Sequence, residues 1–98
     1  MTAQRWRLDG QTALITGASA GIGLAIAREL LGFGADVMIV GRDIDMLESA
    51  RDDLADEFPA QAIHALAADV SDDEDRREIL DWVEDHADGL HILVNNAG

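Results

Sequence analysis

The chain has 98 residues, of which 48% are hydrophobic, so it is long enough for one small domain with a core. Its formal net charge of −13 argues against nucleic acid as a partner, because phosphates require a basic surface. The absence of cysteine excludes disulfides and thiolate metal sites, and the short apolar runs exclude a membrane span, so we expect a cytoplasmic protein with no membrane partner.

The first two predicted elements flank a glycine-rich turn. The apolar run TALIT predicts a buried strand at residues 12–16, and the pattern from Gly21 to about Phe33 predicts a helix. Between them, Gly17, Gly21 and Gly23 fall within seven positions. The evidence for this helix is that Ile22, Ile26, Leu30 and Phe33 recur at helical spacing.

The second strand and helix follow the same alternation. The continuous apolar run at residues 37–40 is typical of a parallel strand that is covered on both faces. Asp43 is expected to cap the next helix, which ends just before Pro59. The predicted inward face of this helix consists of Ile44, Leu47, Ala50, Leu54 and Phe58.

A third strand is predicted at residues 63–67, and a fourth at residues 91–94 after a break at Gly89. Between them, Ser71 is expected to begin the third helix as a capping box with Glu74. The predicted apolar face of that helix consists of Ile79, Leu80, Val83 and Ala87.

The resulting order is βαβαβαβ. Strict alternation of strands and helices implies a parallel sheet with right-handed crossovers. We therefore expect an α/β fold, a three-layer Rossmann-type parallel sheet with strand order 3-2-1-4. Residues 1–98 would form a single, incomplete domain, the first half of a doubly wound nucleotide-binding fold.

The glycine-rich turn indicates a phosphate site. A sharp turn from strand to helix presents the helix's N-terminal amides and the positive end of its dipole to an anion. Gly17 would permit the turn, Gly21 would allow close approach of a pyrophosphate, and Gly23 would let the helix pack against the sheet. Ser19 adds a hydroxyl donor. Packing alone is the alternative explanation for these glycines.

The end of the second strand bears on the choice of cofactor. An acid at this point binds the ribose 2′-hydroxyl of NAD, whereas an arginine accommodates the 2′-phosphate of NADP. Here the residue is Arg42, which can hold a phosphate through two parallel hydrogen bonds. The sequence therefore favours NADP over NAD, the alternative being that Arg42 is an ordinary surface arginine.

Three motifs resemble those of the short-chain dehydrogenase/reductase family. TGASAGIG at residues 16–23 resembles the family's cofactor loop, and NNAG at residues 95–98 resembles the motif after its fourth strand. The pair Asp69-Val70 is similar to the family's adenine-contacting pair. RWRLDG at residues 5–10 resembles the tropinone reductase-like branch.

The resemblance implies a role for each motif. Asp69 would accept a hydrogen bond from the adenine amino group, Val70 would contribute a main-chain amide, and Asn96 and Ala97 would lie along the adenosine ribose. Ala20 departs from NADP-binding relatives, which often carry a second basic residue in this loop. The expected cofactor-binding residues are Gly17, Ser19, Ala20, Gly21, Ile22, Gly23, Arg42, Asp69, Val70, Asn96, Ala97 and Gly98.

The resemblance also implies an activity, the exchange of hydride between a carbonyl/alcohol pair and nicotinamide. The family uses a serine, a tyrosine and a lysine beyond the fourth strand, yet this sequence contains no tyrosine and no lysine and stops at Gly98. No catalytic residue is therefore assigned. Three alternatives stay open: the NADP(H)-binding N-terminal portion of a reductase, a stand-alone nucleotide-binding or assembly module, and one half of a split reductase.

Two further expectations concern surfaces and metals. A fourth strand with nothing beyond it would expose an apolar edge, which predicts self-association through that edge. His64, His86 and His91 are scattered along the sequence, so no metal site is expected. The acidic run at residues 72–75 is interpreted as carboxylates that stabilise a helix start.

Overall fold

The chain folds into a parallel sheet flanked by helices, and the computed structural model describes residues 8–17, 21–86 and 91–95. The sheet order is β3-β2-β1-β4, and every pairing is parallel. The predicted fold class and strand order are thus confirmed. The elements are β1 (Thr12–Thr16), α1 (Gly21–Gly32), β2 (Asp36–Gly41), α2 (Ile44–Glu57), β3 (Ile63–Ala67), α3 (Asp73–His86) and β4 (Ile92–Asn95).

Helices cover both faces of the sheet, which gives three layers. Alternate strand residues point to opposite faces, so the continuous apolar runs of β1 and β2 supply two cores at once. On one face, Ala13, Ile15, Val37, Ile39 and Ile63 pack with Ala27 and Leu31 of α1 and Leu47, Ala50 and Leu54 of α2. On the other face, Leu14, Met38, Val40 and Ala68 pack with Ile79 and Val83 of α3.

The residues of α1 that pack against the sheet are Gly23, Ala27 and Leu31. They lie one position after Ile22, Ile26 and Leu30, so the two sets have the same helical spacing. Ile22 is 71% exposed, and Phe33, just after the helix, is 41% exposed. Gly23 and Ala27 have small or no side chains, which lets this part of the helix lie close to the strands.

The other two helices bury the middle of their predicted faces. Leu47, Ala50 and Leu54 are buried in α2, and Ile79 and Val83 are buried in α3, as expected. Ile44 and Leu80 are instead exposed, at 46% and 62%. Ile44 is the first residue of its helix, and a helix end does not have the core on every side. Phe58 is half-buried against the core, and Ala87 lies outside the described residues.

The start of α3 also corrects a prediction. The Ser71 hydroxyl donates to Asp69 Oδ1 at 2.6 Å, so it does not form the expected capping box with Glu74. Asp72 caps the helix in its place, since its Oδ1 accepts from the N–H groups of Glu74 at 2.9 Å and Asp75 at 3.1 Å. The nearby Asp69 carboxylate attracts the serine hydroxyl, and the next residue supplies the cap.

Candidate cofactor site

Hydrogen bonds join the carboxyl ends of three strands along one edge of the sheet. The N–H of Gly17, just after β1, donates to the carbonyl of Val40 at 2.8 Å. The N–H of Ala68, just after β3, donates to the carbonyl of Gly41 at 2.8 Å. The glycine turn, the residue after β2 and the residues after β3 therefore share the edge where doubly wound folds bind their ligands.

The backbone of the turn needs two of its glycines. Gly17 has φ 67° and Gly21 has φ 64°, a left-handed conformation that strains residues with a side chain. Apart from its chain neighbours and the backbone of its own helix, a Cβ on Gly21 would meet no atom of the described residues within 4 Å. Gly23 is buried within α1. Ser19 and Ala20 lie outside the described residues.

The electrostatics of α1 differ from those of the other two long helices. Its first turn contains no acidic residue, whereas α2 carries Asp45 and α3 carries Asp73, Glu74 and Asp75 at the same point. The sequence has no Asp or Glu between Asp9 and Glu29 although it has 20 in all. A helix start without carboxylates keeps its positive end available to an anionic ligand. This acid-free run is a signal that the motif analysis missed.

Arg42 stands at the end of β2, opposite the start of α3. Its side chain is 79% exposed, and its Nη1 lies 3.6 Å from Asp69 Oδ2. The following residue, Asp43, caps α2 as predicted, because its Oδ1 accepts from the N–H of Met46 at 3.2 Å. The guanidinium of Arg42 borders a cleft of about 280 Å³, which is lined by Arg42, Ala67, Ala68, Asp69 and Asp75.

Asp69 is held as an anion in this cleft. Its Oδ1 accepts from both the hydroxyl of Ser71 at 2.6 Å and the N–H of Ser71 at 2.9 Å. These two bonds lower the pKa of the Asp69 carboxyl, desolvation opposes them, and the charge of Arg42 lowers it further. The carboxylate is therefore an acceptor at neutral pH.

Three further residues lie near this edge: Val70 follows Asp69, Asn95 ends β4, and Ile22 lies in the first turn of α1. Val70 is half-buried and packs against the core under α3. At the end of β4, Asn95 accepts from the hydroxyl of Thr16 at 3.2 Å, which joins β1 to β4. Ile22 is exposed in the first turn of α1. The structure thus brings Gly17, Gly21, Ile22, Gly23, Arg42, Asp69 and Val70 to one edge, while Asn96, Ala97 and Gly98 lie outside the described residues.

The histidines have ordinary structural surroundings where they are described. The Nδ1 of His91 accepts from the N–H of Thr12 at 3.1 Å, and the ring of His64 meets Trp82 edge-on with centroids 5.8 Å apart. Within the described parts of the chain, no group of three His, Cys, Asp or Glu side chains could hold a metal ion. Over the same residues, no helix has the length and apolar character needed to cross a bilayer.

Comparison with known proteins identifies the family. The sequence model of the family described as short chain dehydrogenase matches residues 11–98, nearly the whole chain. The chain belongs to the short-chain dehydrogenase/reductase family. The resemblance carried by the glycine loop and the two later motifs is thereby confirmed at the level of the family.

Individual relatives agree with this assignment. Farnesol dehydrogenase of Aedes aegypti is 39% identical over 94 residues, which are 96% of this chain and 37% of that enzyme. A chloroplastic tropinone reductase homologue of Arabidopsis thaliana is 40% identical over 96 residues, or 97% of this chain and 29% of that protein.

A solved structure shares the fold closely. L-sorbose reductase from Gluconobacter frateurii, in complex with NADPH and L-sorbose, superimposes with a TM-score of 0.90 at 38% identity. The match covers 95% of this chain and 35% of the reductase. The chain thus spans about a third of the length of the relatives that it matches.

Proposed function

We propose that this chain is the NADP(H)-binding N-terminal portion of a short-chain reductase that interconverts a carbonyl and an alcohol. The observation that carries the proposal is the shared edge of the sheet. There, a glycine turn with two left-handed residues opens a helix whose first turn contains no acidic residue, and Arg42 stands at the end of the next strand. The NADPH complex of L-sorbose reductase, which has the same fold at 38% identity, supports the choice of cofactor.

The residues of this edge fit the parts of a dinucleotide. The main-chain N–H groups at the start of α1 would bind the pyrophosphate, because the open side of Gly21 lets its oxygens approach. The guanidinium of Arg42 would bind the 2′-phosphate, and Asp69 and Val70 would contact the adenine. When bound, the cofactor would supply or accept the hydride of the reaction.

The proton-transfer residues are proposed to lie outside residues 1–98. The sequence contains neither tyrosine nor lysine, the two groups that the family resemblance implies for this step. Within this chain, the described residues at the cofactor edge bind and orient rather than exchange a proton. Substrate choice and catalysis would then depend on segments that pack beyond β4. The cytoplasmic location expected from the sequence stays a prediction.

Calorimetric titration of the chain with NADPH and with NADH tests the cofactor assignment. We expect saturable binding of NADPH and a preference over NADH of about tenfold, the value of a charge-assisted bidentate contact. The variant Arg42→Gln should lose that preference by weakening NADPH alone. Arg51→Gln, which removes an arginine of α2 that pairs with Asp52, is the matched control and should change neither affinity. Equal binding of the two cofactors by the unaltered chain would contradict the proposal.

We also propose that the isolated chain self-associates through β4. Leu93 of β4 is 63% exposed beside Leu80 of α3, and a largely apolar groove of about 460 Å³ lies between them. Among the described strands, β4 pairs with β1 alone, so its other edge is open to a second copy. Sedimentation velocity should show dimers that Leu93→Ser weakens. A chain that stays monomeric at high concentration would rule this out.

A further inference from the structure

The loop that carries the adenine-contacting pair is tied to the first turn of α3 by two consecutive side chains. The N–H of Asp69 donates to Asp75 Oδ2 at 2.7 Å. The carbonyl of the next loop residue, Val70, accepts from Arg76 Nη1 at 2.8 Å. Each residue of the pair therefore has its main chain fixed by a charged group of the helix that follows.

The other polar atoms of Asp69 are held as well. Its carbonyl accepts from the N–H of Asp72 at 3.0 Å, which closes a tight turn. Its Oδ1 accepts the two hydrogen bonds from Ser71. The second carboxylate oxygen, Oδ2, lies 3.6 Å from Arg42 Nη1, at the cleft. The direction of Oδ2 thus follows from the anchored main chain of Asp69 together with the two bonds from Ser71 to Oδ1.

Asp75 is well suited to be that anchor. Unlike Asp73 and Glu74, which are exposed, Asp75 is half-buried and lines the cleft with Asp69. Its own N–H donates to Asp72 Oδ1 at 3.1 Å, so its backbone is fixed by the helix cap. A carboxylate acceptor makes a shorter and stronger hydrogen bond than a neutral one, which suits an anchor in a partly hydrated loop.

We propose that Asp75 is a positioning residue for adenine recognition, which holds the main chain of Asp69 so that the Asp69 carboxylate faces the base. The proposal rests on the proposed function, since it assigns to Asp75 the accuracy of a contact within the NADP(H) site. Asp75 touches neither cofactor nor substrate in this account. Its loss should weaken recognition of the base and leave the phosphate contacts of Arg42 and α1 in place.

A cofactor analogue separates these two effects. Nicotinamide hypoxanthine dinucleotide phosphate, in its reduced form, keeps both phosphate sites but replaces the donating 6-amino group of adenine by an oxygen. The unaltered chain should prefer NADPH over this analogue by about tenfold, as expected for a hydrogen bond to a charged acceptor. Asp75→Ala should reduce that preference to about threefold or less, mainly by weakening NADPH.

Two further variants make the test specific. Asp75→Asn keeps an oxygen that can accept from the N–H of Asp69, so it should restore most of the preference. Asp81→Ala removes an exposed acid of the same helix and should leave the preference unchanged. In hydrogen exchange by NMR, the amide of Asp69 should lose protection in Asp75→Ala and regain it in Asp75→Asn.

The outcomes separate a failure of the role proposed for Asp75 from a failure of the proposed function. If the unaltered chain binds no NADPH, the proposed function fails, and the role of Asp75 fails with it. If the chain binds NADPH and discriminates against the analogue equally well with and without Asp75, the inference alone is overturned. A loss of discrimination in Asp75→Asn as large as in Asp75→Ala would also overturn it, because charge rather than anchoring would then be responsible.

Discussion

The starts of α1 and α3 resolve the same electrostatic problem in opposite ways. Every helix begins with N–H groups that lack an intrahelical partner and with the positive end of a dipole. At α3 the chain supplies its own carboxylates: Asp72 caps the helix, and three acids occupy the first turn. At α1 the first turn contains glycines and no acid.

The difference indicates which helix start is open to an anionic ligand. In a chain with 20 acidic residues, a helix start without any of them gives up a stabilising interaction that α2 and α3 both have. The phosphates of a cofactor would supply the missing negative charge. The start of α3 is instead held by hydrogen bonds to its own carboxylates. We infer that it acts on the same ligand indirectly, through the loop that it anchors.

The largest expected effect comes from making α1 resemble α3. Ile22 is exposed in the first turn, so Ile22→Glu places a carboxylate there at little cost in packing. We expect NADPH affinity to fall by at least about tenfold relative to Ile22→Gln, because the carboxylate repels the pyrophosphate. The free energy of unfolding should rise by about 0.3–1 kcal/mol over that of Ile22→Gln at low ionic strength.

Ile22→Glu is expected to lower NADPH affinity and to raise the free energy of unfolding, and these opposite effects test the comparison of the two helix starts. Calorimetry gives the affinity and urea denaturation gives the stability of the same pair of variants. A glutamate variant that binds NADPH as tightly as the glutamine variant would mean that the phosphates do not sit at the start of α1. The comparison between the two helix starts would then have no functional meaning.

The second prediction concerns the carboxylate that caps α2, a helix start that is stabilised by its own side chain. Asp43 caps α2, so Asp43→Ala should lower the free energy of unfolding by about 1 kcal/mol. NADPH affinity should not fall, since this carboxylate serves the N–H of Met46. Asp43→Ser retains an acceptor and should recover most of the stability in urea denaturation. A loss of NADPH affinity as large as that from Ile22→Glu would be the unexpected result.

The smallest effect concerns the pKa of Asp69. Hydrogen bonds from Ser71 hold this pKa below its ordinary value of 3.8. Ser71→Ala removes the hydroxyl donor and should raise the pKa toward that value, as an NMR titration of the carboxyl would show. Because the pKa is lowered by folding, the stabilisation is present above the unfolded pKa and is lost as pH falls through the folded pKa. An unchanged pKa in Ser71→Ala would mean that the hydroxyl bond contributes nothing.

The sheet could be predicted from the sequence because its signals are local and redundant. The apolar runs of β1 and β2 are typical of strands covered on both faces, and their alternation with helices predicts a parallel sheet with right-handed crossovers. The faces that the helices turn to the sheet were harder to predict. In α1, the exposed Ile22 and the buried Gly23, Ala27 and Leu31 belong to two sets of residues with the same period, so spacing alone does not decide which set faces the sheet.

The details around Asp69 could not be predicted from spacing. Ser71 satisfies the pattern of a capping box, but its hydroxyl donates instead to the carboxylate of Asp69, two residues earlier in the same loop. The contact made by Asp75 could not be predicted for a related reason. An acid in the first turn of a helix is favourable wherever its side chain points, so the acidic run gave no sign that one member reaches back to the N–H of Asp69.

An NMR titration of the labelled chain with NADPH tests whether the start of α1 binds the cofactor's phosphates. We expect the largest changes in amide shift at Gly21, Ile22 and Gly23. Smaller changes should appear near Arg42 and Asp69, with none in the last turn of α2. Saturable binding without changes at residues 21–23, or no binding at all, would mean that the start of α1 does not bind the phosphates of NADPH.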